Sequence, residues 1–74
     1  MTEQVLDATG LKCPLPVLRA RRTLKAMPSG AVLEVHADDA AAPGDFESFC
    51  RTTGDALEES REEGGRFVFR IRKA

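Results

Sequence analysis

The sequence is poor in the residues on which most small-protein chemistry depends. It has no tryptophan, no tyrosine and one histidine in 74 residues, and its four aromatic side chains are all phenylalanine. Its two cysteines, Cys13 and Cys50, stand far apart. A secreted disulfide scaffold of this length holds about four to eight, so two free thiols in a reducing compartment are expected. One histidine and two separated cysteines do not make a structural zinc site. With no Cys-x-x-Cys, thioredoxin-type redox work has no motif. The expectation is therefore no metal and no cofactor. No apolar run approaches the roughly 18 residues of a membrane span. Met1-Thr2-Glu3-Gln4 lacks the positive start and apolar stretch of a signal peptide. A cytoplasmic protein with no membrane partner is expected. A net charge of −1 with interspersed signs gives no field that steers the molecule toward nucleic acid. RNA binding would call for exposed aromatics to stack on bases, and all four phenylalanines fit a core. Direct nucleic-acid binding is not expected, and stays an alternative only because open-faced sheets can bind RNA.

What is present describes an ordinary folded chain. Apolar residues make up 42% and charged residues 31%, a globular balance. The length allows one domain, residues 1–74, with a thin core and no deep substrate cavity. A carrier, a binding module or a subunit of something larger is favoured over a self-contained metabolic enzyme.

Turn signals divide the chain. Gln4 to Ala8 reads as a first strand, followed by a turn at Thr9-Gly10-Leu11-Lys12. A helix is predicted from Pro14 to Met27, stopped by Pro28-Ser29-Gly30. Its stripe is Val17, Ala20, Leu24 and Met27, with Leu15 and Leu18 off that stripe near the start. Val32 to Ala37 alternates as a second strand. After a loop from Asp38 to Pro43, Phe46, Phe49, Cys50 and Thr53 carry a short second helix that Gly54 ends. Arg66 to Arg72 is the best strand in the chain. Asp55 to Glu62 has no clear period. It is assigned as a third strand because Gly64-Gly65 requires a hairpin partner for the fourth. The predicted fold class is α/β: a two-layer α/β sandwich, βαβαββ, with a four-stranded mixed sheet and two helices on one face. The open face should carry Glu34, His36, Arg70 and Arg72, with His36 solvated.

The segment richest in chemistry is Leu11-Lys12-Cys13-Pro14-Leu15-Pro16. A cysteine just ahead of a helix sits where backbone N–H groups lack partners and the dipole favours negative charge. A thiol there should ionise more easily than a free cysteine, whose pKa is about 8.5, and the thiolate is the form from which a persulfide grows. Pro14 suits the first helical position and Pro16 the first turn, where a missing donor costs nothing. Lys12, Arg19 and Arg21 should add positive potential. Leu15 and Leu18 should leave an apolar collar for docking another protein. On the residues alone, a small polar cap at a helix start explains Cys13 as well as a reactive thiol does. Cys50 shares the apolar face of helix two and reads as core.

Gly10-Leu11-Lys12-Cys13-Pro14-Leu15-Pro16 resembles the Gly-Leu-basic-Cys-Pro-x-Pro signature of the TusA/SirA/YedF family of sulfur carriers. Leu6-Asp7-Ala8, Ala37-Asp38-Asp39, Phe49-Cys50 and Ile71-Arg72-Lys73 extend the likeness over nearly the whole chain. The resemblance implies that Cys13 accepts sulfane sulfur from a cysteine desulfurase or rhodanese-like donor and passes it to an acceptor protein. The family's outlets are tRNA thiolation, molybdenum-cofactor assembly and sulfur oxidation. Any enzyme class would be sulfurtransferase. It also implies that Gly10, Lys12, Pro14 and Pro16 frame the cysteine, and that Arg21 and Asp39 join Leu15 and Leu18 in partner contact. Leu15 replaces the Glu of the tRNA-thiolation members, which weakens assignment to that pathway. Ala41 replaces a Pro found in many members. The competing readings are a regulatory or adaptor module, indifferent to loss of the thiol, and a thiol redox sensor or metallochaperone.

Overall fold

The structure, a computed structural model, describes residues 3–74. The elements run β1 (Glu3–Asp7), α1 (Leu15–Lys25), β2 (Val32–Ala37), α2 (Ala42–Thr53), β3 (Ala56–Glu63) and β4 (Arg66–Arg72). They form one four-stranded sheet in the order β1-β2-β4-β3. β1 and β2 are parallel and the other two pairs antiparallel. The parallel pair needs a long crossover, which α1 supplies. The β3–β4 hairpin closes on Gly64 and Gly65, with φ of 55° and 83°, the left-handed values that a two-residue hairpin turn demands. The predicted two-layer mixed sandwich is the observed architecture.

One face of the sheet and both helices make the core. Leu33 and Val35 of β2 and Phe69 and Ile71 of β4 pair across the ladder and are fully buried. α1 lays Pro16, Ala20 and Leu24 on this surface, and α2 lays Ala42, Phe46 and Cys50, spaced one turn apart. Phe46 stacks on Phe69 with ring centroids 4.6 Å apart. α2 ends at Gly54, whose φ of 85° turns the chain and whose N–H reaches the Cys50 carbonyl at 2.9 Å. α1 ends two residues before the predicted Met27. The carbonyls of Leu24, in the last turn, and of Met27, just past it, accept hydrogen bonds from Lys73 Nζ at 2.8 and 3.0 Å, so Lys73 caps the helix.

The open face is an ionic lattice. Arg70 donates to Glu34 and Glu3, and Glu34 also meets His36 Nε2 at 2.7 Å. His36 is therefore a half-buried partner in this lattice, where a solvated residue was expected. Both neighbours of Glu34 are hydrogen-bonded to its carboxylate, His36 first and Arg70 next, and they hold its pKa below the usual carboxylate range. Arg61 bridges Glu59 and Glu63, and Arg72 bridges Glu58 and the Gly30 carbonyl. Val68 lies on this face too. It is buried because it pairs between His36 on β2 and Arg61 on β3, whose side chains flank it.

Candidate functional site

Cys13 lies in the segment between β1 and α1, and that segment is pinned at several points. Ala8 N–H extends the β1 ladder to the His36 carbonyl at 2.7 Å. Gly10 has a φ of 81°, which allows its N–H to face Asp38, and both carboxylate oxygens accept it at 3.0 and 3.1 Å. Asp39 Oδ2 accepts the N–H of Cys13 itself at 3.3 Å and that of Ala41 at the same distance. Leu15 N–H closes a turn on the Lys12 carbonyl at 2.7 Å. The Asp38-Asp39 pair after β2 thus holds the loop after β1 at two residues. That link is possible because the two strands run parallel and end side by side.

The helix begins later than predicted. Pro14 is the residue before the first helical one, with φ −100° and ψ 19°, and Pro16 is the proline inside the first turn. The Cys13–Pro14 peptide is cis. Pro16 is also fully buried, so it packs the helix start onto the core as well as stiffening it. Cys13 therefore lies one position further from the helix than the sequence suggests.

The thiol itself is exposed, while Cys50 is buried. Burial pushes Cys50 up to about 11. Cys13 also moves upward, contrary to the expectation of an easily ionised thiol. The main cause is a side-chain hydrogen bond to Asp45 in the first turn of α2. Desolvation and the negative charges of Asp45 and Asp39 add to it. The helix start offers little to oppose them. Leu15 has spent its N–H on Lys12, and Pro14 and Pro16 have none. The cations expected to help, Lys12, Arg19 and Arg21, do not offset the carboxylates. Asp45 was missed because nothing in the linear sequence ties position 45 to position 13.

Two surfaces flank the thiol. Between α1 and α2 runs an open groove of about 370 Å³, floored by Val17 and Phe49, with Pro14, Asp45, Ser48 and Arg21 on its walls. On the other side of α1, Leu15 and Leu18 remain 45% and 50% exposed, beside Arg19 and Arg22. Gly10, Lys12, Asp38 and Asp39 gather round the loop. Of the predicted site residues, Pro14 and Arg21 line the groove, Leu15 and Leu18 the far side of α1, and Gly10, Lys12 and Asp39 the loop, while Pro16 is buried beneath them. No cluster of His, Cys, Asp and Glu able to hold a metal occurs among the described residues.

Comparison with known proteins bears on what such an arrangement is for. The sequence model of the family described as Sulfurtransferase TusA matches residues 4–73. The chain belongs to the TusA family. The sulfur carrier protein TusA of Allochromatium vinosum is 56% identical over 72 residues, which cover 97% of this chain and 95% of that protein. The TusA of Pseudomonas putida is 38% identical over 71 residues, covering 96% and 89%. A crystal structure of a SirA-like protein from Desulfitobacterium hafniense superposes with a TM-score of 0.81 at 25% identity, covering 93% of this chain and 95% of that one. The TusA/SirA resemblance read from the motif and its flanks therefore holds over almost the entire chain. Among the described residues, no helix is long and apolar enough to cross a membrane.

Proposed function

We propose that this protein is a sulfur carrier that bears sulfane sulfur as a persulfide on Cys13. The observation that carries the reading is the contrast between its two thiols: Cys13 is exposed at the tip of an anchored loop, and Cys50 is sealed in the core. Membership of a family whose relatives are named sulfur carriers supports the same assignment.

The chemistry is a thiol exchange. The Cys13 thiolate attacks the outer sulfur of a donor persulfide, and a bond forms between Cys13 Sγ and that sulfur. The donor's own S–S bond breaks, its cysteine leaves as a thiolate, and the proton lost from Cys13 passes to it through solvent. No oxidant is consumed and no cofactor is needed. Unloading repeats the exchange, with an acceptor thiol as attacker. The donor is a cysteine desulfurase or a rhodanese-like protein. The acceptor is a protein of the tRNA-thiolation, molybdenum-cofactor or sulfur-oxidation type, and the encounter takes place in the cytoplasm. Gly10, Lys12, Pro14 and Pro16 position the sulfur. Leu15, Leu18 and Arg21 receive the partner, with Asp39 at the edge of that contact.

The test is incubation with a cysteine desulfurase and free cysteine, read by intact mass. The wild type and Cys50→Ser should each gain one sulfur atom, and Cys13→Ser none. Absence of an adduct with desulfurase, rhodanese and thiosulfate donors alike would overturn the assignment.

A further inference from the structure

Sulfur transfer between two proteins makes a demand that reaction with a small molecule does not. Both sulfurs are held by protein, and they must meet in line at about 3 to 3.5 Å. If Cys13 is the carrier, the reading on which this inference rests, its loop has to be held for that meeting. Ala8 and Pro16 are fully buried, but residues 9–15 between them are exposed or half-buried. Several of their hydrogen bonds close local turns: Thr9 donates to Asp7, Leu11 N–H to the Ala8 carbonyl and Leu15 N–H to the Lys12 carbonyl. These bend the segment without attaching it. Leu11 alone packs against the core. Two N–H groups reach across the chain, that of Gly10 to both oxygens of Asp38 at 3.0 and 3.1 Å, and that of Cys13 to Asp39 at 3.3 Å.

Both acceptors follow directly on β2, which is paired on each side, with β1 and with β4. Among the described residues neither carboxylate meets a cation, whereas Glu34, Glu58, Glu59 and Glu63 are each held by an arginine. We infer that Asp38 is a positioning residue for sulfur transfer, tethering the Cys13 loop to the end of β2, with Asp39 as the second tether. Asp38 acts through Gly10 and touches neither sulfur. Without it the segment keeps its local turns and its buried ends, but Cys13 is in line with a donor sulfur for less of the time. Docking is unchanged, because Leu15, Leu18 and Arg21 lie on α1. Asp39 also borders the partner contact, so Asp38 gives the cleaner test.

The experiment measures single-turnover loading from a persulfidated cysteine desulfurase over a range of donor concentrations, for wild type, Asp38→Ala, Asp38→Asn and Lys73→Met. Asp38→Ala should lower the limiting rate about ten-fold and leave the half-saturating donor concentration unchanged. Asp38→Asn keeps an oxygen for Gly10 N–H and should retain most of the wild-type rate. Lys73→Met weakens the opposite end of α1 and should load like wild type, which separates positioning from a general loss of stability. Alkylation of Cys13 by iodoacetamide needs only an accessible thiolate and should be alike in all four proteins. Wild-type loading by Asp38→Ala overturns the tether, and so does a change confined to the half-saturating concentration. A loss in Asp38→Asn as large as in Asp38→Ala overturns it by assigning the effect to charge, and a matching fall in alkylation does so by assigning it to the thiol itself. Wild type that takes no sulfur refutes the carrier reading, and that result is seen before any variant is compared.

Discussion

Lys73, the penultimate residue, should contribute as much stability as a core side chain. Its ammonium donates to the carbonyls of Leu24 and Met27 at 2.8 and 3.0 Å in a half-buried setting, where α1 has run out of its own donors. Hydrogen bonds from a charged group contribute about 1.5 to 3 kcal/mol each. Two at the lower end, less roughly 1.5 kcal/mol for immobilising a lysine, leave about 1.5 kcal/mol. A chain of this length has a total of roughly 4 to 11 kcal/mol. Lys73→Met, which keeps the aliphatic stem, should therefore lower the free energy of unfolding by about 1.5 kcal/mol and the Tm by roughly 10 °C. The control is Lys25→Met, which removes an exposed charge from the last turn of the same helix. It should cost no more than about 0.5 kcal/mol. Urea unfolding followed by circular dichroism measures both. If Lys73→Met matches its control, the cap contributes nothing and the reasoning fails.

Two further outcomes follow from the same geometry. A thiol reagent at neutral pH should count one reactive cysteine in the folded protein and two in denaturant, because Cys50 is buried with its pKa pushed up to about 11; two equivalents under native conditions would mean that α2 opens readily. Glu34 has a folded pKa below its unfolded one, held there by His36 and Arg70, so its contribution is present above the unfolded pKa and disappears as pH falls through the folded value. Glu34→Gln should be less stable than wild type at neutral pH, and the gap should close below about pH 4; a gap independent of pH would mean that packing, not charge, is what the substitution removes.

Much of this fold is legible because its patterns are strong. β2 and β4 alternate so clearly that both ranges come out as observed, and the glycine pair at 64–65 correctly demands a partner for β4. That partner, β3, is obscure for physical reasons. It is an edge strand whose charged residues Glu58, Glu59, Arg61, Glu62 and Glu63 blunt the edge, and a register shift between Leu57 and Glu59 breaks its alternation. The start of α2 is also obscured. Pro43 reads as loop, but it sits within the first turn, where no donor is missed. At the site, the motif identifies the sulfur and its prolines. What it hides are the contacts made across the chain: Asp38 and Asp39 with the loop after β1, Asp45 with the thiol, and Lys73 with the end of α1. Each joins residues 26 or more positions apart, and no local period reports them.

The most direct test of the account is to digest the sulfur-loaded protein without reductant and locate the added sulfur by tandem mass spectrometry. It should lie on the peptide containing Cys13 and nowhere else. Sulfur found on the Cys50 peptide, or spread between the two, would contradict the assignment of the carrier to the exposed loop.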